Sequence, residues 1–418
     1  MRLLCVTCLL ILLVGCEWRQ AETAAQVPPR EKQPSQQLRV VSVAVSPADT
    51  IDCLRPHRAP EPGPADTLIT IGSQHYWLSM RVSTDSTRAI DYDPAVNAGG
   101  AFATPGDTAA LASQRVRGYE ETYTFGLRDS TRRRVLFRRQ LHKPDFYPVA
   151  ARDIVTVMNL ARPAYLGYSA ALDALVFACY LWVPASDVGE RATLLLDRQG
   201  HMKRISAGGS IMWDDAIDCD PQLAPAGHAV LTCTELLRAG HPPLQLKKPH
   251  ALLHVARFLN DSTLLTVYKN GDYQPQKQVV ASDNDATVSA PMVSANFVTT
   301  PAQRRLPTAY IMRTNGRVIR RFSLTPSGAA TNVVPHVWVK PAGTYFLYQE
   351  NTKLVLVPKA APERLAELPL KSLAKFKAPL RPHEKRFVIT TDFSRLELYV
   401  DTLHPQQVRY LLGRPKLE

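Results

Sequence analysis

The sequence predicts an all-β body, arranged as a β-propeller of about six blades. Three observations carry that expectation. β-Branched and aromatic residues gather in short runs bounded by turn residues. Several of these runs pair across turns of two to five residues. Prolines number 33 against 20 glycines, a density that breaks long helices. With 418 residues, 45% hydrophobic and 21% charged, the chain can bury a substantial core, which excludes disorder of the whole.

From Leu38 onward the strand candidates follow in order. They include 38–45, 67–71, 154–158 and 174–183. Tyr123 to Leu127 meets Arg133 to Phe137 around Asp129-Ser130-Thr131, and Thr193 to Asp197 meets His201 to Ile205 across Gln199-Gly200. Ala309 to Arg313 meets Arg317 to Arg321 across Asn315-Gly316, and Asn270-Gly271 marks a further turn. Asn-Gly suits a type I′ hairpin because both central residues need positive φ. Tyr345 to Tyr348 with Leu354 to Val357, and Phe387 to Thr390 with Leu396 to Val400, complete the series. Hairpins at these irregular intervals suggest degenerate repeats of roughly 40–50 residues, the size of propeller blades. Tandem β-sandwich domains fit the same strands less economically and stay open as the alternative. Helices are expected only at 108–117 and 363–368. The polar stretches 55–66 and 83–108 read as surface loops or insertions.

The first residues carry a different signal. After Met1-Arg2, the stretch from Leu3 to Val14 is apolar, too short to span a bilayer and right for a signal-peptide core. It ends in Leu13-Val14-Gly15-Cys16, which resembles a bacterial lipobox. The resemblance implies cleavage before Cys16, acyl chains on its thiol, and a bacterial cell-envelope address. Glu17, where an inner-membrane retention signal has aspartate, points to the outer membrane. An ordinary cleaved signal peptide is the alternative. The organisation expected is therefore a signal peptide at 1–15, a lipidated flexible tether at 16–37 and the β-rich body at 38–418. Lipobox and hairpin spacing together resemble the six-bladed-propeller lipoproteins of Bacteroidota-type envelopes, which implies an address and no activity.

Cysteine use fits an oxidising compartment. Cys53, Cys179, Cys219 and Cys233 remain after the leader, and four cysteines allow three pairings. Cys219 and Cys233 lie closest and form the preferred bridge, while Cys179 sits in an apolar run that suits a buried thiol.

Candidate chemistry is sparse. Gly167-Tyr168-Ser169-Ala170-Ala171 lacks the second glycine of a nucleophile elbow, and a strand follows it where a helix is needed. His250 and His254 have a zincin-like spacing without its glutamate, and in a strand they would stand about 13 Å apart. Asp214, Asp215, Asp218 and Asp220 are dense but do not match a calcium loop, and Asp283 and Asp285 are a shorter version. No catalytic residue, metal or cofactor is assigned.

The basic residues are more clustered. Net charge is +13. Arg132, Arg133, Arg134, Arg138 and Arg139 form one group, and Arg304, Arg305, Arg317, Arg320 and Arg321 another. Guanidinium forks pair with phosphate and carboxylate. If the groups converge they make an anion-binding patch; otherwise they are exposed faces of a basic protein. The expected partners are the membrane, through the lipid anchor, and an envelope protein or an anionic glycan or lipid. Nucleic acid is not expected. The leading functional expectation is a non-catalytic binding or assembly module, and the alternative is an envelope hydrolase acting on a glycan or another polymer.

Overall fold

The computed structural model describes residues 50–52, 65–92, 116–184, 189–210, 219–274, 296–325, 334–391 and 393–414. The chain divides into two units, Met1–Ala44 and Val45–Glu418, and every described residue belongs to the second. The lipobox, the tether, Cys53 and the strand expected at 38–45 lie outside the described residues, as do Asp214, Asp215, Asp218, Asp283 and Asp285.

Strand β1 (Thr50–Asp52) comes first. The first sheet then runs through β2 (Asp66–Ile71), β3 (Gln74–Tyr92), β4 (Val116–Asp129) and β5 (Val135–His142). A single-turn helix α1 (Arg152–Val157) leads into the second sheet: β6 (Asn159–Ser169), β7 (Ala174–Trp182), β8 (Gly189–Leu196) and β9 (Met202–Ser210). The third sheet is the smallest, with β10 (Gln222–Leu223), β11 (Ala229–Leu231), β12 (Glu235–Arg238) and β13 (Leu244–Gln245). The fourth begins with β14 (Ala251–Asn260) and β15 (Thr263–Asn270). An insertion follows, in which β16 (Asp272–Gln274) pairs with β17 (Asn296–Val298) ahead of helix α2 (Pro301–Arg304). Strands β18 (Ala309–Arg313) and β19 (Val318–Phe322) finish that sheet. The fifth contains β20 (His336–Val339), β21 (Thr344–Gln349), β22 (Lys353–Pro358) and β23 (Ala366–Pro369). The sixth is built from β24 (Ala374–Lys375), β25 (Glu384–Thr390), β26 (Arg395–Asp401) and β27 (Val408–Gly413).

The first five sheets are antiparallel meanders whose spatial order equals chain order. The sixth has β25, β26 and β27 as its antiparallel centre, with β24 parallel to β27 and β1 parallel to β25. The start of the described chain therefore joins the last sheet. Consecutive sheets pack face to face through separate apolar clusters, between the first and second, second and third, third and fourth, fourth and fifth, and fifth and sixth. Five meanders and the mixed sixth sheet, stacked in sequence order, form the blade array of a β-propeller. Independent sandwiches would instead enclose isolated pairs of sheets.

Strand composition follows from this stacking. In β7, Leu175, Phe177, Cys179 and Leu181 face the first sheet, while Ala174 and Val176 face the third. A strand buried on both sides needs apolar residues at every position, and 174–183 shows that continuous run.

Several local expectations are corrected. Residues 83–92, read as loop, extend β3, and a register break between Asp85 and Ala89 absorbs their irregular polar pattern. Residues 154–158, read as a strand, fall mostly within α1, because Val155 and Met158 reach the core between the first two sheets from a helical turn. The helix expected at 363–368 is one 3₁₀ turn, Pro362–Arg364, followed by β23, whose edge pairing with β22 outweighs helical propensity in so short a segment. Of the helix expected at 108–117, Val116 and Arg117 belong to β4 and the rest lies outside the described residues. Asn270-Gly271 does not close a hairpin; β14 and β15 turn instead at Asp261-Ser262, and Gly271 leads into the insertion.

Candidate functional site: an arginine-lined cleft on the first sheet

The first sheet packs one face against the second and leaves the other open. Register decides which side chains fall on each. Met80 pairs with Phe125 and Leu78 with Leu127 on the packed face, so Trp77, Ser79 and Arg81 point the other way beside Thr124, Gly126 and Arg128. The pairing of Gly126 with Arg138 brings that arginine to the open face as well. Together they line a cleft of about 500 Å³ that also includes Asp66, Arg132 and Val135.

The turn between β4 and β5 builds one wall. The Asp129 carboxylate accepts from Thr131 Oγ1 at 2.8 Å and from the Arg133 amide at 3.0 Å. Those hydrogen bonds, the Thr131 hydroxyl foremost, lower its pKa. The Arg132 amide donates to the Asp129 carbonyl, and Arg132 takes a left-handed φ of 61°. That conformation is uncommon for a long side chain and is held here by its surroundings. The guanidinium of Arg132 lies 3.7 Å from the centroid of the Trp77 ring, and the Trp77 indole donates to the Ser130 carbonyl at 3.2 Å. Such a cation–π contact contributes roughly 0.5–1 kcal/mol at an exposed site.

The charges are unbalanced. Asp66 and Arg81 pair at 2.7 Å, and Arg81 also donates to the Ala65 carbonyl. Arg128 and Arg138 are exposed and have no ion-pair partner among the described residues. With Arg132, three guanidiniums border the cleft without a carboxylate partner among the described residues. The arrangement can hold an oxyanion through forked hydrogen bonds, with threonine and serine hydroxyls at its base.

Of the ten arginines expected to form a patch, Arg132 and Arg138 line the cleft, and Arg133 and Arg134 are exposed on its turn. Arg139 departs: it pairs with Phe125 and so projects from the packed face. The second group does not join the first. Arg304 closes α2, Arg305 follows it, Arg317 sits in the β18–β19 turn, and Arg320 and Arg321 lie on β19 of the fourth sheet. The two groups occupy different sheets, with the second and third between them in chain order. Arg128, which opens the basic segment 128–143 of the sequence, also lines the cleft, whereas Trp77 and Arg81 were missed because only strand register brings them there.

Other candidates resolve into structure. Cys219 and Cys233 form a disulfide with Cα atoms 5.6 Å apart, and Cys179 is a buried free thiol. Ser169 is buried, donates to the Gly227 carbonyl at 2.6 Å and accepts from the Leu172 amide, so it is no exposed nucleophile. His250 takes a φ of 56° ahead of β14 and pairs with Asp272 at 2.6 Å, whereas His254 is buried within β14. Asp220 accepts from Tyr180 at 3.4 Å. Among the described residues, no three His, Cys, Asp or Glu side chains gather as a metal site.

No family model and no curated protein matches the chain. Among solved structures it is similar to a prolyl endopeptidase, at 13% identity and TM-score 0.27, covering 68% of this chain and 39% of that one. It is also similar to prolyl oligopeptidase B from Galerina marginata bound to a 35mer substrate, at 8% identity and TM-score 0.25, covering 81% and 46%. The chain spans less than half the length of either. Neither likeness carries an argument about fold or activity, and the fold assignment rests on the sheet topology described above.

Proposed function

We propose that the chain is a lipid-anchored protein of the bacterial cell envelope, held at the outer membrane through Cys16. In this reading its propeller body is a non-catalytic binding module for an anionic envelope glycan. One observation carries the binding reading: Arg128 and Arg138 stand unpaired around a cleft whose wall is the Arg132–Trp77 stack. A concave site bordered by cations suits a carboxylate- or phosphate-bearing ligand, and the cleft volume lies in the range of small-ligand sites. Glycan hydrolysis would ask for two facing carboxylates. Among the described residues Asp66 is the one acidic residue lining the cleft, and Arg81 holds it.

Binding of the purified body to polygalacturonate, measured at low and high salt, tests the proposal. Affinity is expected to fall at least about tenfold as salt rises from 50 to 500 mM, because exposed cations are screened. Replacing Arg128 and Arg138 together by alanine should weaken low-salt binding to a similar degree. Arginine stays charged throughout the accessible range, so binding should be flat between pH 5 and 9. Salt-independent binding, or full affinity in the double variant, would remove the cleft from the function.

A further inference from the structure

The fourth sheet carries a second chamber, of about 450 Å³, that the reading above does not use. It lies where β15 ends and β18 begins, and the insertion that follows β15 supplies part of its wall through Thr299, Gln303 and Arg304. Thr299 donates to the Asn270 carbonyl at 2.6 Å, tying the insertion to the sheet.

His254 lines this chamber. The register break between Leu253 and Val255 leaves it as the unpaired residue of a β-bulge, a device that re-aims a side chain. Its side chain is buried, with 1% exposure for the residue, and neither ring nitrogen has a hydrogen-bond partner in the protein. Burial and the neighbouring Lys269 hold the ring neutral, lowering its pKa to about 4. A neutral imidazole offers one N–H donor and one bare acceptor nitrogen. Lys269 and Arg304 border the same space, and neither has an ion-pair partner among the described residues. The acid nearest in the network, Asp272, is already held by His250 at 2.6 Å and by Gln303 at 2.9 Å. Among the described residues the chamber thus presents two cations, no carboxylate, and one ring that can both donate to and accept from a ligand.

We propose that this chamber binds a small hydroxylated organic anion, with its carboxylate or phosphate between Lys269 and Arg304 and a hydroxyl at His254. Sugar acids and sugar phosphates share that chemistry.

Calorimetric titration of the full chain with D-glucuronate, D-glucose 6-phosphate and D-glucose tests it. At least one of the two anions should bind saturably and glucose should not; which anion binds identifies the charged group. Arg304→Met, at the exposed end of α2, should weaken binding about tenfold or more, and His254→Phe should weaken it further. If His254→Phe does not fold, Arg304→Met decides alone. The Arg128→Ala, Arg138→Ala variant should bind the anion as the parent does, which separates this chamber from the first-sheet cleft. Saturable binding by neither anion, equal binding of glucose, full affinity in Arg304→Met, or loss in the cleft variant would each overturn the proposal.

Discussion

Two histidines illustrate how position within a sheet sets chemistry. His336 donates from Nδ1 to the Val334 carbonyl at 2.7 Å, and the Arg257 guanidinium meets its Nε2. Burial first, then that cation, lowers its pKa to about 3. His254 is lowered to about 4 by burial and Lys269. An unfolded histidine titrates near 6.5, so below that pH the unfolded chain takes up protons that the folded chain refuses. Stability from both rings is complete above about pH 6.5 and is lost as pH falls towards 4, at up to about 1.4 kcal/mol per pH unit for each ring. Glu190 acts in the opposite sense, since burial raises its pKa to about 7 and the folded state gains from its protonation. Two rings against one carboxyl leave a net loss. The net loss, about 1.5 kcal/mol, should lower the melting temperature by about 2 °C between pH 7 and 5, and His254→Phe should remove most of that slope. A constant melting temperature across this window would contradict the assignment. In the sequence, His254 reads as one of two histidines on a strand; the bulge that buries it comes from packing that the local pattern does not record.

Among the elements, close approach and cross-linking decide more than propensity. A Cβ added at Gly118 in β4 would lie 1.7 Å from the Thr156 carbonyl oxygen of α1. Gly118→Ala must push α1 out of the core it shares with Val155 and Met158, so a loss of about 3 kcal/mol or more is expected in a urea melt. Near-parental stability would mean that α1 sits elsewhere. The third sheet has strands of only two to four residues, and two links reinforce it. The Cys219–Cys233 disulfide closes a separation of 14 residues, for which chain entropy suggests roughly 3 kcal/mol. The second link reaches the neighbouring sheet: Glu235 of β12 accepts from Arg204 of β9 at 2.7 Å, from Ser206 at 2.6 Å and from Gln245 at 2.9 Å. Replacing both cysteines by serine should cost about 3 kcal/mol, measured by denaturant titration without reductant; an unchanged midpoint would show that the bridge does not act on folding. The hairpin at Asn315-Gly316 was legible because its turn chemistry is local. Helix α1 was not, since its β-branched residues favour a strand until the first two sheets offer a helical turn a place to dock.

Across the whole molecule, burial on both faces organises the array. Middle sheets expose edges to solvent and bury their faces against neighbours, whereas the first sheet keeps one face open and the arginine cleft occupies it. The anchor proposal adds a test of its own. Cys16→Ser should release the protein from the membrane fraction into the soluble envelope fraction, because single weak contacts do not replace acyl chains. Undiminished retention of that variant would refute lipid anchoring. The all-β class and the blade count of about six were readable from runs and turns, whereas the cleft was half readable, through its clustered arginines but without Trp77 and Arg81.

That division has a physical cause. Strand character, hairpin turns and the clustering of charge arise from stereochemistry and solvation within a few residues, so the chain displays them directly. The order in which sheets bury their faces, the register that sets Arg138 beside Gly126 but turns Arg139 towards the core, and the bulge that buries His254 all depend on contacts between distant segments. A strand shifted by one residue exchanges its two faces. Turn geometry and packing together select the register, and with it the side chains that share a site.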